Sequence, residues 1–115
     1  KMYEMIVGCR EALEQAGVAG KTHVMGFGHF GDGNLHINLV TVPEYDQKVV
    51  DVVDGFMYGF AKERRYSVSA EHGIGMQKKS YLPYTKPQST LDQMVRVKNL
   101  FDPNGIMNPY KVFKQ

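Results

Sequence analysis

Gly26-Phe27-Gly28-His29-Phe30-Gly31-Asp32-Gly33-Asn34-Leu35-His36-Ile37-Asn38 is the stretch on which the reading of this chain turns. Asp-Gly between two strand-like runs is a strong hairpin signal, because a type I′ turn needs positive φ at both central residues. With Asp32 and Gly33 as a two-residue loop, the register predicts Gly31 opposite Asn34, Phe30 opposite Leu35 and His29 opposite His36. Cβ atoms of such a pair lie about 5 Å apart, a separation at which two imidazoles can share a metal ion. Alternation puts His36 and Asn38 on one face and Leu35, Ile37 and Leu39 on the other, so one face carries chemistry and the other core. Two surface histidines beside a tight turn are the plainer alternative; the polar Asn38 beside the pair favours a metal or catalytic role.

The same residues spell Gly26-x-Gly28-x-x-Gly31, the dinucleotide fingerprint. That motif needs a helix opening on its last glycines, where the backbone N–H groups meet the pyrophosphate. Here the glycines lead instead into Asp-Gly-Asn and an alternating strand, which argues against dinucleotide binding.

Around this stretch, 115 residues make one domain at most. A hydrophobic fraction of 43% with 14 basic and 12 acidic residues fits a globular protein and gives no argument for nucleic acid. The single cysteine, Cys9, excludes an internal disulfide. No apolar run approaches the roughly 18 residues of a membrane span, and no signal peptide is expected at the start. The chain opens in the middle of a helical pattern, which reads as a fragment of something longer.

Upstream, Met2, Met5, Ile6, Cys9 and Leu13 recur at helical spacing until Gly17, predicting an amphipathic helix over 2–16. Strands are predicted over 22–27 and 34–42. A helix over 44–65 comes next, with Pro43 at its entrance and Val49, Val52, Val53, Phe56, Met57 and Phe60 as its buried stripe. Tyr66 to Ala70 reads as a short third strand that delivers Glu71-His72 to Gly73-Ile74-Gly75. Met76 to Leu82 reads as a short helical piece. A last helix over 89–101 has capping boxes at Ser89 and Thr90 and a stripe of Leu91, Met94, Val95, Lys98 and Phe101; Ile106 to Phe113 reads as an extended tail. The order helix, strand, strand, helix, strand, helix is α+β. It suggests half of a ferredoxin-like layer, with helices on one face of a small antiparallel sheet.

His29, His36 and Glu71 are groups of the right type for a metal. Two imidazoles and one carboxylate leave a divalent ion with residual charge and open positions, the arrangement of a working site. Zinc is the first choice, and the donor set also suits Fe²⁺ or Mn²⁺. Such an ion, bound by a 2-hydroxy acid, would lower the hydroxyl pKa; His72 is then placed to take the proton, and Asn38 to hydrogen-bond the carboxylate. No side chain here accepts a hydride, so an oxidation needs a cofactor bound elsewhere.

Three runs carry a closer resemblance: Gly28 to His36, then Ser69-Ala70-Glu71-His72-Gly73-Ile74-Gly75, then Phe101-Asp102-Pro103-Asn104-Gly105-Ile106-Met107-Asn108-Pro109-Tyr110-Lys111. In order and spacing they resemble the C-terminal, substrate-side domain of the FAD-linked D-2-hydroxy-acid dehydrogenases. Tyr84-Thr85-Lys86-Pro87 and Asn108-Pro109-Tyr110-Lys111 look most like the D-2-hydroxyglutarate branch, with D-lactate next. The resemblance implies that His29, His36 and Glu71 bind the metal, that Asn38 and His72 contact substrate, and that His72 is the catalytic base. It further implies hydride transfer to FAD, an approach of Asn108 to the flavin, and a separate electron acceptor. The location it implies is mitochondrial in a eukaryote and otherwise cytoplasmic. On this comparison residues 1–115 are the C-terminal part of the substrate and metal domain and the FAD-binding domain is absent, so the isolated chain is expected to be colourless and inactive. The competing reading is a stand-alone metal-binding or association module without catalysis, whose bare apolar faces pair in a homodimer.

Overall fold

A computed structural model describes residues 2–113. It is α+β, with an antiparallel sheet of two strands and three α-helices. In chain order these are α1 (Met2–Gln15), β1 (Thr22–His29), β2 (Asn34–Thr41), α2 (Gln47–Arg64) and α3 (Gln88–Phe101). The chain divides into two compact units, Lys1–Phe60 and Ala61–Gln115, and the division falls within α2. No helix among the described residues is long and apolar enough to cross a membrane.

In the first unit α1 lays its predicted stripe against the sheet. Cys9, Leu13, Val24, Val49 and Val53 form the buried cluster, with Ile6, Ile37, Leu39, Val52, Phe56 and Met57 packed around it. Each such aliphatic side chain contributes about 1.5–3 kcal/mol when fully buried. α1 stops where Gly17 turns left-handed: Gly17 N–H donates to the Glu14 carbonyl and Val18 N–H to the Leu13 carbonyl, both at 3.0 Å. This is a Schellman closure, and it leaves Val18 against the cluster that holds Leu13. The Arg10 guanidinium donates to the Val24 carbonyl at 2.9 Å, tying α1 to β1. α2 begins three residues later than its predicted start. Asp46 caps it, its carboxylate accepting the Lys48 N–H at 2.9 Å, because a short acidic side chain satisfies an open N–H better than Pro43 or Glu44.

The second unit starts with the last turn of α2. Arg65 takes φ 55°, with its N–H on the Lys62 carbonyl and the Tyr66 N–H on the Ala61 carbonyl, again a Schellman closure. The predicted third strand at 66–70 does not form. The Ser67 hydroxyl donates to the Ser69 carbonyl at 2.7 Å and accepts the Ser69 N–H at 3.2 Å, and this local turn takes the groups a sheet ladder would use. Residues 75–81 run as consecutive turns into a short 3₁₀ segment, Leu82–Tyr84, in place of a regular helix. α3 starts at Gln88 behind Pro87, and no side chain caps it, so neither capping box is used. Gln88 instead reaches along the helix to Asp92 at 2.8 Å. Leu91 is buried, whereas Phe101 is 77% exposed and lies outside the stripe assigned to it. The tail is coiled, with Asn108, Tyr110 and Val112 all at positive φ.

Candidate active site

The hairpin forms, with a different turn. Phe30–Asp32 make a 3₁₀ turn and only Gly33 is left-handed, at φ 71°, its N–H on the Phe30 carbonyl at 3.3 Å. Type I′ would require Asp32 at positive φ as well, and Asp32 has a Cβ that opposes it. Four residues therefore bridge the strands. The register becomes His29 opposite Asn34, Gly28 opposite Leu35, Phe27 opposite His36 and Met25 opposite Asn38, so His29 does not face His36 directly.

The two histidines nevertheless share a face. With His29 paired to Asn34, His36 is its diagonal neighbour, at a spacing of about 7–8 Å that side chains of this length can bridge. His36 stacks on Phe27, ring centroids 5.2 Å apart and planes 16° from parallel, which fixes the imidazole over the sheet. Asn34, His36 and Asn38 line one strand of this face, and Met25, Phe27 and His29 the other. The opposite face holds Val24, Ile37 and Leu39 in the core, as alternation requires.

Asn34 is a residue that the sequence did not single out. Its side-chain oxygen is buried with no hydrogen-bond partner among the described residues, an uncompensated acceptor on the histidine face. Two imidazoles and an unsatisfied amide oxygen on one face are a donor set that suits a divalent cation, so the residues present fit a metal.

The glycines of the apparent dinucleotide fingerprint answer to the hairpin. A Cβ on Gly26 would lie 2.4 Å from Ile6 Cδ1, where α1 crosses the sheet. Gly28 has φ 149°, and a Cβ there would meet the Asn34 carbonyl oxygen at 2.3 Å. Backbone approach within the hairpin accounts for Gly28, and the crossing of α1 for Gly26.

Glu71 and His72 belong to the second unit, on a bend between the Ser67–Ser69 turn and Gly73. Glu71 Oε1 and His72 Nε2 are 3.7 Å apart, and the two side chains are 47% and 69% exposed. Gly73 and Gly75 come next at φ 78° and 54°, so the backbone reverses immediately after the pair.

A further polar centre lies at the end of α3. The Asp102 carboxylate is 4% exposed and takes hydrogen bonds from the Lys98 ammonium and from the N–H groups of Ile106 and Met107, the last two at 3.0 Å. Lys98 foremost, with those N–H groups, holds the carboxyl below the usual range despite burial. Lys98 and Asp102 at i,i+4 before Pro103-Asn104-Gly105 is the signal that was available. Cys9, by contrast, is buried among aliphatic side chains and its thiol is pushed up to about 11, so it is not a nucleophile or a ligand at neutral pH.

Residues 1–112 match the family described as FAD linked oxidases, C-terminal domain. A mitochondrial D-2-hydroxyglutarate dehydrogenase of Rattus norvegicus is 42% identical over 111 residues, 96% of this chain and 20% of that protein. The mitochondrial D-2-hydroxyglutarate dehydrogenase of Arabidopsis thaliana is 44% identical over 90 residues, 78% of this chain and 16% of its own length. A D-2-hydroxyglutarate–pyruvate transhydrogenase of Saccharomyces cerevisiae is 39% identical over 115 residues, 96% of this chain and 23% of the relative. The chain thus spans about a fifth of the length of the proteins it matches.

Proposed function

The chain belongs to the family of FAD-linked oxidase C-terminal domains, and from that premise we propose that it is the metal- and substrate-binding part of a flavin-dependent dehydrogenase. Its reaction is oxidation of a D-2-hydroxy acid, D-2-hydroxyglutarate or D-lactate, to the 2-oxo acid. The observation that carries this reading is the polar face of the hairpin, where His29, His36, Asn34 and Asn38 stand together over an apolar underside.

In this reading His29, His36 and Glu71 hold a divalent cation, zinc before iron or manganese. When bound, the cation supplies Lewis acidity that makes the substrate hydroxyl easier to deprotonate. FAD, held mainly by residues outside this chain and approached by Asn108, supplies the acceptor for the hydride leaving the substrate carbon. The roles left to this chain are binding and proton handling. His72 takes the hydroxyl proton on its imidazole, and Asn38 donates its amide N–H to the substrate carboxylate. Proton and hydride together leave the C–O bond as a carbonyl. Relatives named mitochondrial support that location for a eukaryotic source.

The test is made in the whole enzyme. His72→Gln should lower kcat by about 10²–10⁴-fold, the usual contribution of a positioned base, with KM little changed. Asn38→Ala should act mainly on KM. Full kcat in His72→Gln would remove the base assignment.

A further inference from the structure

Glu71 and His72 sit on a bend that no strand or helix contains, yet a metal ligand and a base need fixed positions. One support comes from the C-terminal end of the same unit. The Val112 N–H donates to the Gly75 carbonyl at 2.8 Å, and Lys111 Nζ lies 2.9 Å from Met76 Sδ. These contacts fall three to four residues beyond His72, at the point where Gly75 turns left-handed.

The segment that delivers them is itself anchored. Asp102 gathers Lys98, Ile106 N–H and Met107 N–H, and Lys98 Nζ also donates to the Met107 carbonyl at 2.6 Å. Residues 102–107 are thereby pinned to the last turn of α3. Between the two anchors the backbone takes positive φ at Asn108, Tyr110 and Val112, three positions with side chains, the last of them β-branched. The Phe113 N–H closes on the Lys111 carbonyl at 2.7 Å around Val112, a γ-turn of the strained hand. Conformations of this kind persist only where the surroundings over-determine them.

We propose that residues 102–113 are a strap that sets the position of the Glu71–His72 pair. Asp102 and Lys98 are positioning residues that act through it, and the Val112 N–H is its point of attachment. The proposal rests on the ligand and base roles given above to Glu71 and His72. Asn108 aside, which is assigned an approach to the flavin, the strap residues act by holding Gly75, and through it the bend.

The test uses the 115-residue chain, a version ending at Tyr110, and Asp102→Asn, each followed by amide hydrogen exchange and by calorimetric titration with Zn²⁺. Both variants should speed exchange over residues 71–78 at least tenfold while leaving 88–96 of α3 unchanged, and should weaken Zn²⁺ binding about tenfold, as loss of support behind a ligand does. Val112→Gly keeps the N–H and should behave as the parent. Unchanged exchange over 71–78 in the shortened chain overturns the strap, whatever happens to Zn²⁺. If the parent takes up no Zn²⁺ but the exchange result is as stated, the strap stands and the ligand assignment falls.

Discussion

Replacing Gly28 with alanine should be among the most damaging single-methyl changes in the hairpin. The added Cβ would stand 2.3 Å from the Asn34 carbonyl oxygen, 3.2 Å from its carbon and 3.3 Å from His36 Cδ2. The nearest atoms are backbone of the partner strand, so no side-chain rotation relieves the clash. Holding a side chain at φ 149° adds a cost of about 1–3 kcal/mol, and forcing the strands apart about the same again. Together these give roughly 2–6 kcal/mol, against a total stability for a chain of this size of about 6–17 kcal/mol. Gly31→Ala is the internal control: nothing lies within 4 Å of a Cβ there, and the change should stay within about 0.5 kcal/mol. Urea unfolding followed by circular dichroism reads both. Equal effects at the two glycines, or none at Gly28, would refute the claim that hairpin geometry and not a phosphate loop dictates them.

Three further outcomes are expected elsewhere in the molecule. Asp102 has its folded pKa lowered by Lys98, so its contribution to stability is present above the unfolded value near 4 and is lost as pH falls through the folded value; the stability gap between parent and Asp102→Asn, measured by urea melts from pH 7 to pH 2, should close on the acid side. Cys9, raised from 9.0 to about 11, should react with a thiolate-specific reagent at pH 8 at least about 100-fold more slowly in the folded chain than in urea, and equal rates would contradict its burial. Arg65→Gly, at φ 55° in the closure of α2, should stabilise by about 0.5–1 kcal/mol, since glycine occupies that conformation without a Cβ penalty; thermal melts check the direction.

The three helices were legible because their signal is local: Val49, Val52, Val53, Phe56, Met57 and Phe60 recur at helical spacing, and all of them pack or bury in the fold. The hairpin was legible in existence and not in register, since that depends on a single dihedral choice at Asp32. The histidine face survived the error for a definite reason. The pairing moved from His29 opposite His36 to Phe27 opposite His36, a slip of two residues, and only an odd slip exchanges the faces of a strand. The third strand failed because Ser67 and Ser69 bond to each other, a competition that β-propensity at Tyr66 and Val68 does not reveal. Nothing in bulky Tyr110 or Val112 announces positive φ. Their conformation answers to the Asp102 and Gly75 anchors, which are tertiary. The candidate residues were chosen by type, as histidines, a carboxylate and amides at stated positions, while Asn34 emerged only once its oxygen was seen buried without a partner among the described residues.

The assignment on which the proposed function depends is that the hairpin's polar face is half of a metal site. Elemental analysis of the chain after exposure to Zn²⁺ and exhaustive dialysis, compared with His36→Ala, decides it. About one zinc per parent chain and almost none in the variant are expected, because losing one of three protein ligands removes tight binding. Equal zinc in both would contradict the assignment.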